Sequence, residues 1–346
     1  MRKTVLFLII LTGIVRPQQK EFLYTSLLGA VDASSLATGE ASVTNLSNVL
    51  SYKYNPATLA VFNSIGSTIN IRNIGDLGNI YAINVLTKTP VGNFGVEYAS
   101  YSGLYYFIYE PISPSLIQEK DVTLTLSYAN FVFTNFAAGI NLKFFRNKNP
   151  DEENQLYNEE IKTHIYFDIG IIYIIKSLFI YGSVRKDRLS IGLSIQNEGE
   201  KFTYYRNGKR YNLPAYLRFG FSYNLPCVVC NKSEIIGLET NLEYKRYLNA
   251  PEKSFYGIDE VYGINALNVG IDIRALEILH FRMGTSLNSL QDKYPIYGEN
   301  NFKYGVGIST NLRLFKLENP FFINIDYSRL SFRGIETQNI YTFQFG

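Results

Sequence analysis

Two cysteines and two histidines are the residues best placed to do chemistry. Cys227 and Cys230 form a C-V-V-C that follows Pro226. A zinc site needs four ligands, and no second pair is present. A thioredoxin-type motif needs a βαβ setting, which the surrounding sequence does not offer. A local disulfide in an oxidising periplasm is therefore expected, with two free thiols as the alternative. His164 and His280 open strands at opposite rims of the architecture derived below, so they share no site. A serine nucleophile needs its base within ~2.6–3.2 Å, and no Ser/His/acid spacing stands out. The expectation is a protein with no catalytic residues, no metal and no cofactor.

The elements that carry these residues follow from composition. Of 346 residues, 28 are Tyr, 24 are Phe and only 18% are charged, which excludes a disordered chain. The net charge is +3 and no like-charge block marks a nucleic-acid surface. Mean hydropathy is -0.04, too low for a bundle of membrane-spanning helices. At the N-terminus, basic Arg2 and Lys3 precede an apolar run of 12 residues, Thr4–Val15. Spanning hydrocarbon takes ~20 residues, so the run reads as a secretory signal, with an uncleaved anchor as the alternative. Arg16-Pro17-Gln18-Gln19 lacks the usual small-residue cleavage pattern, and no early Cys suggests a lipoprotein. An exported chain that also enters a membrane without helices must do so as a closed β-barrel.

Period-two alternation supports that reading. Leu267, Val269, Ile271 and Ile273 alternate with Asn268, Gly270, Asp272 and Arg274. Comparable runs occupy Phe136–Phe144, Leu217–Tyr223, Ile236–Lys245, Lys303–Leu314 and Phe321–Ser328. A soluble sandwich would alternate too, but the connections argue against one. Strands are expected near 66–74, 79–86, 92–101, 121–131, 133–143, 162–174, 188–198, 214–225, 234–247, 265–274, 278–288, 302–315, 321–330 and 338–345. Connections after even strands are mostly short and those after odd strands mostly long, the pattern of periplasmic turns and outer loops. Gly75–Gly78 and Ile175–Asp187 depart from it. The second contains the strand-like Leu178–Val184, read as an insertion or a lengthened strand so that the parity holds. The expected fold class is all-β: a 14-stranded antiparallel transmembrane barrel.

In this register Lys143, Arg218, Glu239, Glu243, Asp272, Arg274, Lys303, Arg313 and Asp326 face the lumen. They pair with N-terminal residues such as Asp32 and Glu40, or form a substrate ladder; packing of a plugged barrel is the preferred account. At the far end, Tyr341, Phe343 and Phe345 share a face. They resemble the C-terminal aromatic signal read by the barrel-assembly machinery, except that Gly346 follows the last aromatic.

The stretch before the first strand is small and polar, and then Asn55-Pro56-Ala57 suits a helix start. It cannot bury a core alone, but it fits inside a lumen lined by glycines. Ala37-Thr38-Gly39-Glu40-Ala41 with Asn55-Pro56-Ala57 resembles the hatch signature of the FadL superfamily, and more closely of its PorV/PorQ-like branch. Asp168-Ile169-Gly170, Leu189–Gly199, Leu213-Pro214 with Arg218–Tyr223, and Ile325-Asp326-Tyr327 extend the resemblance over nearly the whole mature chain. Thr58 stands where the family usually has Gly, which bears on the turn after the motif.

The resemblance implies a 14-stranded barrel whose lumen holds an N-terminal hatch with Gly39, Glu40, Asn55, Pro56 and Ala57 as its motif. The expected organisation is a signal peptide over 1–19, a hatch over 20–65 and a barrel over 66–346, located in the outer membrane of a bacterium with two membranes. The implied function is passage of small hydrophobic molecules, with outer-membrane lipid and a hydrophobic ligand as partners. The alternative is a PorV-like partner of type nine secretion or surface attachment, holding client proteins. No nucleic-acid partner is expected.

Overall fold

The computed structural model describes residues 32–63, 65–73, 78–107, 115–148, 163–176, 179–180, 183–184, 187–200, 202–203, 210–211, 215–230, 233–248, 265–276, 278–288, 302–309, 323–332 and 335–345. Residues 1–31, where a signal peptide is expected, and Arg313 lie outside them. The strands are β1 (Gly66–Asn73), β2 (Asn79–Thr89), β3 (Gly92–Phe107), β4 (Ser115–Phe133), β5 (Phe136–Lys148), β6 (Thr163–Lys176), β7 (Phe179–Ile180), β8 (Ser183–Val184), β9 (Arg188–Gly199), β10 (Phe202–Thr203), β11 (Arg210–Tyr211), β12 (Tyr216–Cys230), β13 (Ser233–Tyr247), β14 (Ala266–Ala275), β15 (Leu279–Asn288), β16 (Lys303–Ser309), β17 (Ile323–Phe332) and β18 (Ile335–Phe345).

Fourteen of them close into one antiparallel barrel, in the order β1-β2-β3-β4-β5-β6-β9-β12-β13-β14-β15-β16-β17-β18. β1 pairs with β18 from Ser67↔Phe345 to Asn73↔Asn339, so no edge is left open. The period-two pattern decides what each face meets. On β14, Ala266, Asn268 and Asp272 are buried, while Leu267 and Ile273 are exposed. The same inversion runs around the ring, with Ile83, Val85, Val96, Leu126, Ile140, Ile169, Phe221, Leu242, Phe281, Val306 and Ile325 all exposed. The outside of the barrel is apolar and the inside polar.

Ile175 and Lys176 complete β6, paired with Leu189 and Arg188 of β9, and β7 and β8 do not join the wall. β7 and β8 form a separate ladder of Phe179↔Val184 and Ile180↔Ser183, which leaves the strand parity intact. β3 and β4 run further than their alternation suggests, staying paired from Ser102↔Lys120 to Phe107↔Ser115. Ladder hydrogen bonds need no apolar face, so pairing continues where the hydrophobic signal stops. No helix among the described residues is long and apolar enough to cross a membrane.

Among the described residues, three short helical turns precede β1: α1 (Ala33–Ala37) and two 3-10 turns, Val49–Lys53 and Pro56–Val61. Asp32 caps α1 by accepting from the Ser35 N–H, and Asn48 caps the second turn through the Leu50 N–H. α1 packs on β15 to β18, and Pro56–Val61 packs on β3 to β6, on the far side of the ring. Leu36, Val43, Leu50, Tyr52 and Ala57 are fully buried. The segment therefore lies inside the barrel and bridges its walls.

Candidate functional site in the lumen

The wall admits this segment at positions where it has no side chains. A Cβ at Gly139 would lie 2.5 Å from the Pro56 carbonyl carbon, and one at Gly170 would collide with Asn55. At Gly220 it would meet Val43, at Gly270 Thr38, and at Gly305 Ala37. Gly39 and Glu40 both have left-handed backbones, φ 68° and 65°, which ends α1 and turns the chain across β14 and β15. Gly39 itself has no room for a Cβ, which would sit 2.7 Å from the Thr285 backbone.

Asn55 ties the segment together and to the wall. Its Oδ1 accepts from the Ala57 N–H at 3.1 Å. Its Nδ2 donates to the Val43 carbonyl at 2.9 Å and to the Ile171 carbonyl on β6 at 3.0 Å. Pro56 takes the first helical position, where its missing N–H costs nothing. Thr58 fits the same turn, because its hydroxyl donates to the Asn55 carbonyl at 3.0 Å.

The lumen charges are paired, as burial demands. Glu243 Oε2 accepts from the Ser42 and Val43 N–H groups, each at 2.9 Å, while its Oε1 pairs with Arg218. The Arg218 guanidinium lies 5.0 Å from the Tyr54 ring centroid and 5.6 Å from that of Tyr216. Glu239 accepts from Ser47 and Ser222 and lies 3.7 Å from Arg274, which also pairs with Glu234 at 3.1 Å. Lys303 holds Glu40 at 3.0 Å. Burial pushes the Glu40 carboxyl up, but Lys303, Lys245 and Arg218 outweigh it and hold the group well below the usual carboxylate range. At Asp32 burial outweighs the bonds from Ser35 and Asn48 and the pull of Lys53, and raises the carboxyl.

Arg282 is a site residue that the sequence reading passed over. It joins Asp272, at 3.2 Å, to Asp326 across β14, β15 and β17. The signal was available: Phe281 and Met283 point outward, so Arg282 must point in. The lumen charges thus divide. Arg218, Glu239 and Lys303 serve the segment, whereas Asp272 and Asp326 are bound to the wall through Arg282.

One expectation is corrected. The Cys227–Cys230 disulfide is not formed, and Cys227 is an exposed free thiol. Both residues lie on β12. Three residues of extended chain separate Cα atoms by ~10 Å, beyond the ~4.4–6.8 Å of a disulfide. His164 and His280 are each the second residue of a strand, β6 and β15; His164 is buried 3.6 Å from Glu200, while His280 sits 3.1 Å from Asp272. The two remain on separate parts of the ring. Among the described residues no group of His, Cys, Asp or Glu is arranged to hold a metal ion. Tyr341 and Phe345 face outward on β18 beside Phe343, next to the closing seam with β1.

No protein-family model matches the chain, and no curated protein matches it. Solved structures do. The toluene transporter TbuX of Ralstonia pickettii superposes with a TM-score of 0.54 at 10% identity, over 90% of this chain and 97% of that chain. The toluene transporter TodX of Pseudomonas putida gives a TM-score of 0.51 at 10% identity, over 91% and 96%. At that identity the likeness is one of fold: this chain has the closed 14-stranded barrel architecture of the toluene transporters.

Proposed function

We propose that the protein is an outer-membrane barrel that passes small hydrophobic molecules, as members of the FadL superfamily do. The observation that carries this is the conjunction of an apolar exterior with an occupied lumen. A continuous band of exposed Ile, Val, Leu, Phe and Tyr has no place in water; it matches the lipid face of a membrane barrel. An occupied lumen does not suit free diffusion of polar solutes. A permeant must instead bind and leave as the segment shifts or through a gap in the wall. The shared fold of the toluene transporters supports a hydrophobic cargo.

On this reading residues 1–19 are a signal peptide, 20–65 a hatch and 66–346 the barrel. Gly39, Glu40, Asn55, Pro56 and Ala57 seat the hatch, and Tyr341, Phe343 and Phe345 serve recognition during insertion. Placement in the PorV/PorQ-like branch rests on the sequence motifs alone, and no observation favours the secretion-partner reading. Mass spectrometry of ligand carried through purification tests the proposal. A hydrophobic small molecule released on unfolding supports it. A barrel that carries none, and that takes up no hydrophobic solute in vesicles, contradicts it.

A further inference from the structure

Asp168 on β6 is completely buried. The ladder with β9 breaks there: Phe167 faces Glu198 and Ile169 faces Ile195, so Asp168 stands opposite both Gln196 and Asn197. This is a β-bulge, which re-aims side chains. Leu193 and Ile195 point outward on β9, so regular alternation would send Asn197 outward too. Instead Asn197 adopts φ 57° and is buried beside Gln196. Asn tolerates that left-handed conformation better than most residues.

Asp168 holds the bulge. Its Oδ1 accepts from the Asn197 N–H at 2.8 Å. Its Oδ2 accepts from Asn141 Nδ2 at 2.9 Å and pairs with Lys143 at 2.8 Å. Lys143 in turn donates to Asn197 Oδ1 at 2.7 Å. The side chains fixed this way face the end of the 3-10 turn Val49–Lys53, whose last carbonyls need donors from outside the turn. Asn141 donates to the Tyr52 carbonyl at 3.1 Å, Gln196 to that of Lys53, and Ser194 to that of Tyr54 at 2.6 Å. Three consecutive carbonyls are thus met by three wall side chains from two strands.

We propose that Asp168 is the positioning residue of the hatch seat: by holding the β6–β9 bulge it aims Asn141 and Gln196 at the carbonyls of Tyr52 and Lys53. Among the described residues its side-chain bonds go to Asn141, Asn197 and Lys143. The inference rests on the reading of the segment as a hatch, and the test separates the two.

The test starts from a Cys227→Ser/Cys230→Ser barrel carrying Ser51→Cys, because Ser51 is fully buried in the seated turn. Two double variants are compared, Asp168→Asn/Lys143→Met and Asp168→Leu/Lys143→Met. Both remove the ion pair and keep similar volume, and only the first keeps an acceptor for the Asn197 N–H. Heat-modifiable migration reports the folded barrel, a polar maleimide reports exposure at position 51, and vesicle swelling in a small sugar reports closure. The leucine variant should fold and label faster than the asparagine variant by about tenfold or more. Equal labelling in two folded barrels overturns the proposal. So does failure of the leucine variant to fold, since Asp168 would then serve the wall itself. Faster labelling without faster swelling upholds the seat and refutes the hatch as the closure.

Discussion

Replacing Gly139 with alanine tests the fit between wall and segment most sharply. The added Cβ would lie 2.5 Å from the Pro56 carbonyl carbon and 2.7 Å from the Ala57 nitrogen. Carbon atoms rest at ~3.5–4.0 Å, so the two backbones must part by about 1 Å. Neither is free to move. β5 is laddered to β4 and β6 on both sides, and Asn55 pins the Pro56 turn to β6. Overpacking of this kind costs ~1–3 kcal/mol. In a barrel lacking residues 22–62 the clash disappears, and alanine should gain ~0.5–1 kcal/mol over glycine within a strand. The effect of one methyl group therefore changes sign between the two backgrounds. Urea unfolding of vesicle-inserted protein, followed by heat-modifiable migration, measures both. An equal effect in both backgrounds would refute the docking geometry.

The other predictions use different faces and groups. Ile271 lies on the outward face of β14 and Asp272 on the inward face, so Ile271→Arg should lower stability in vesicles by ~2–4 kcal/mol near mid-membrane. Asp272→Asn should fold, because Arg282 keeps Asp326; equal tolerance of both substitutions would refute the register. Glu40 is held below its ordinary value, so its share of stability is full above that value and is lost as pH falls through about 4.5 and lower. The urea midpoint of vesicle-inserted protein should fall over that window, and Lys303→Met should blunt the dependence; a pH-independent midpoint in the parent would count against the Glu40–Lys303 tie. Cys227 should react with a maleimide without prior reduction, and a thiol titre of zero would restore the disulfide.

Much of the barrel was legible because each strand must satisfy lipid on one side and a polar lumen on the other. Leu267 to Arg274 shows that constraint residue by residue, and the expected 265–274 meets the observed Ala266–Ala275. It fails where the constraint lapses, as in the paired ends of β3 and β4. The Asn55-Pro56-Ala57 motif placed Asn55 at a helix start because capping is local chemistry. The seat was not legible, since Asp168, Asn141 and Gln196 come together only through strand register and a bulge. The Cys pair misled for a related reason: short spacing suggested a turn, but Cys227 and Cys230 belong to a strand that runs on past Pro226.

On the function proposed above, the N-terminal segment closes an otherwise intact membrane barrel to polar solutes. Vesicle swelling in a small sugar, with full-length protein beside a variant lacking residues 22–62, tests it directly. Both should migrate as heat-modifiable barrels, the full-length protein should exclude the sugar and the deletion should admit it. A full-length barrel as permeable as the deletion, or a deletion that no longer inserts, would contradict it.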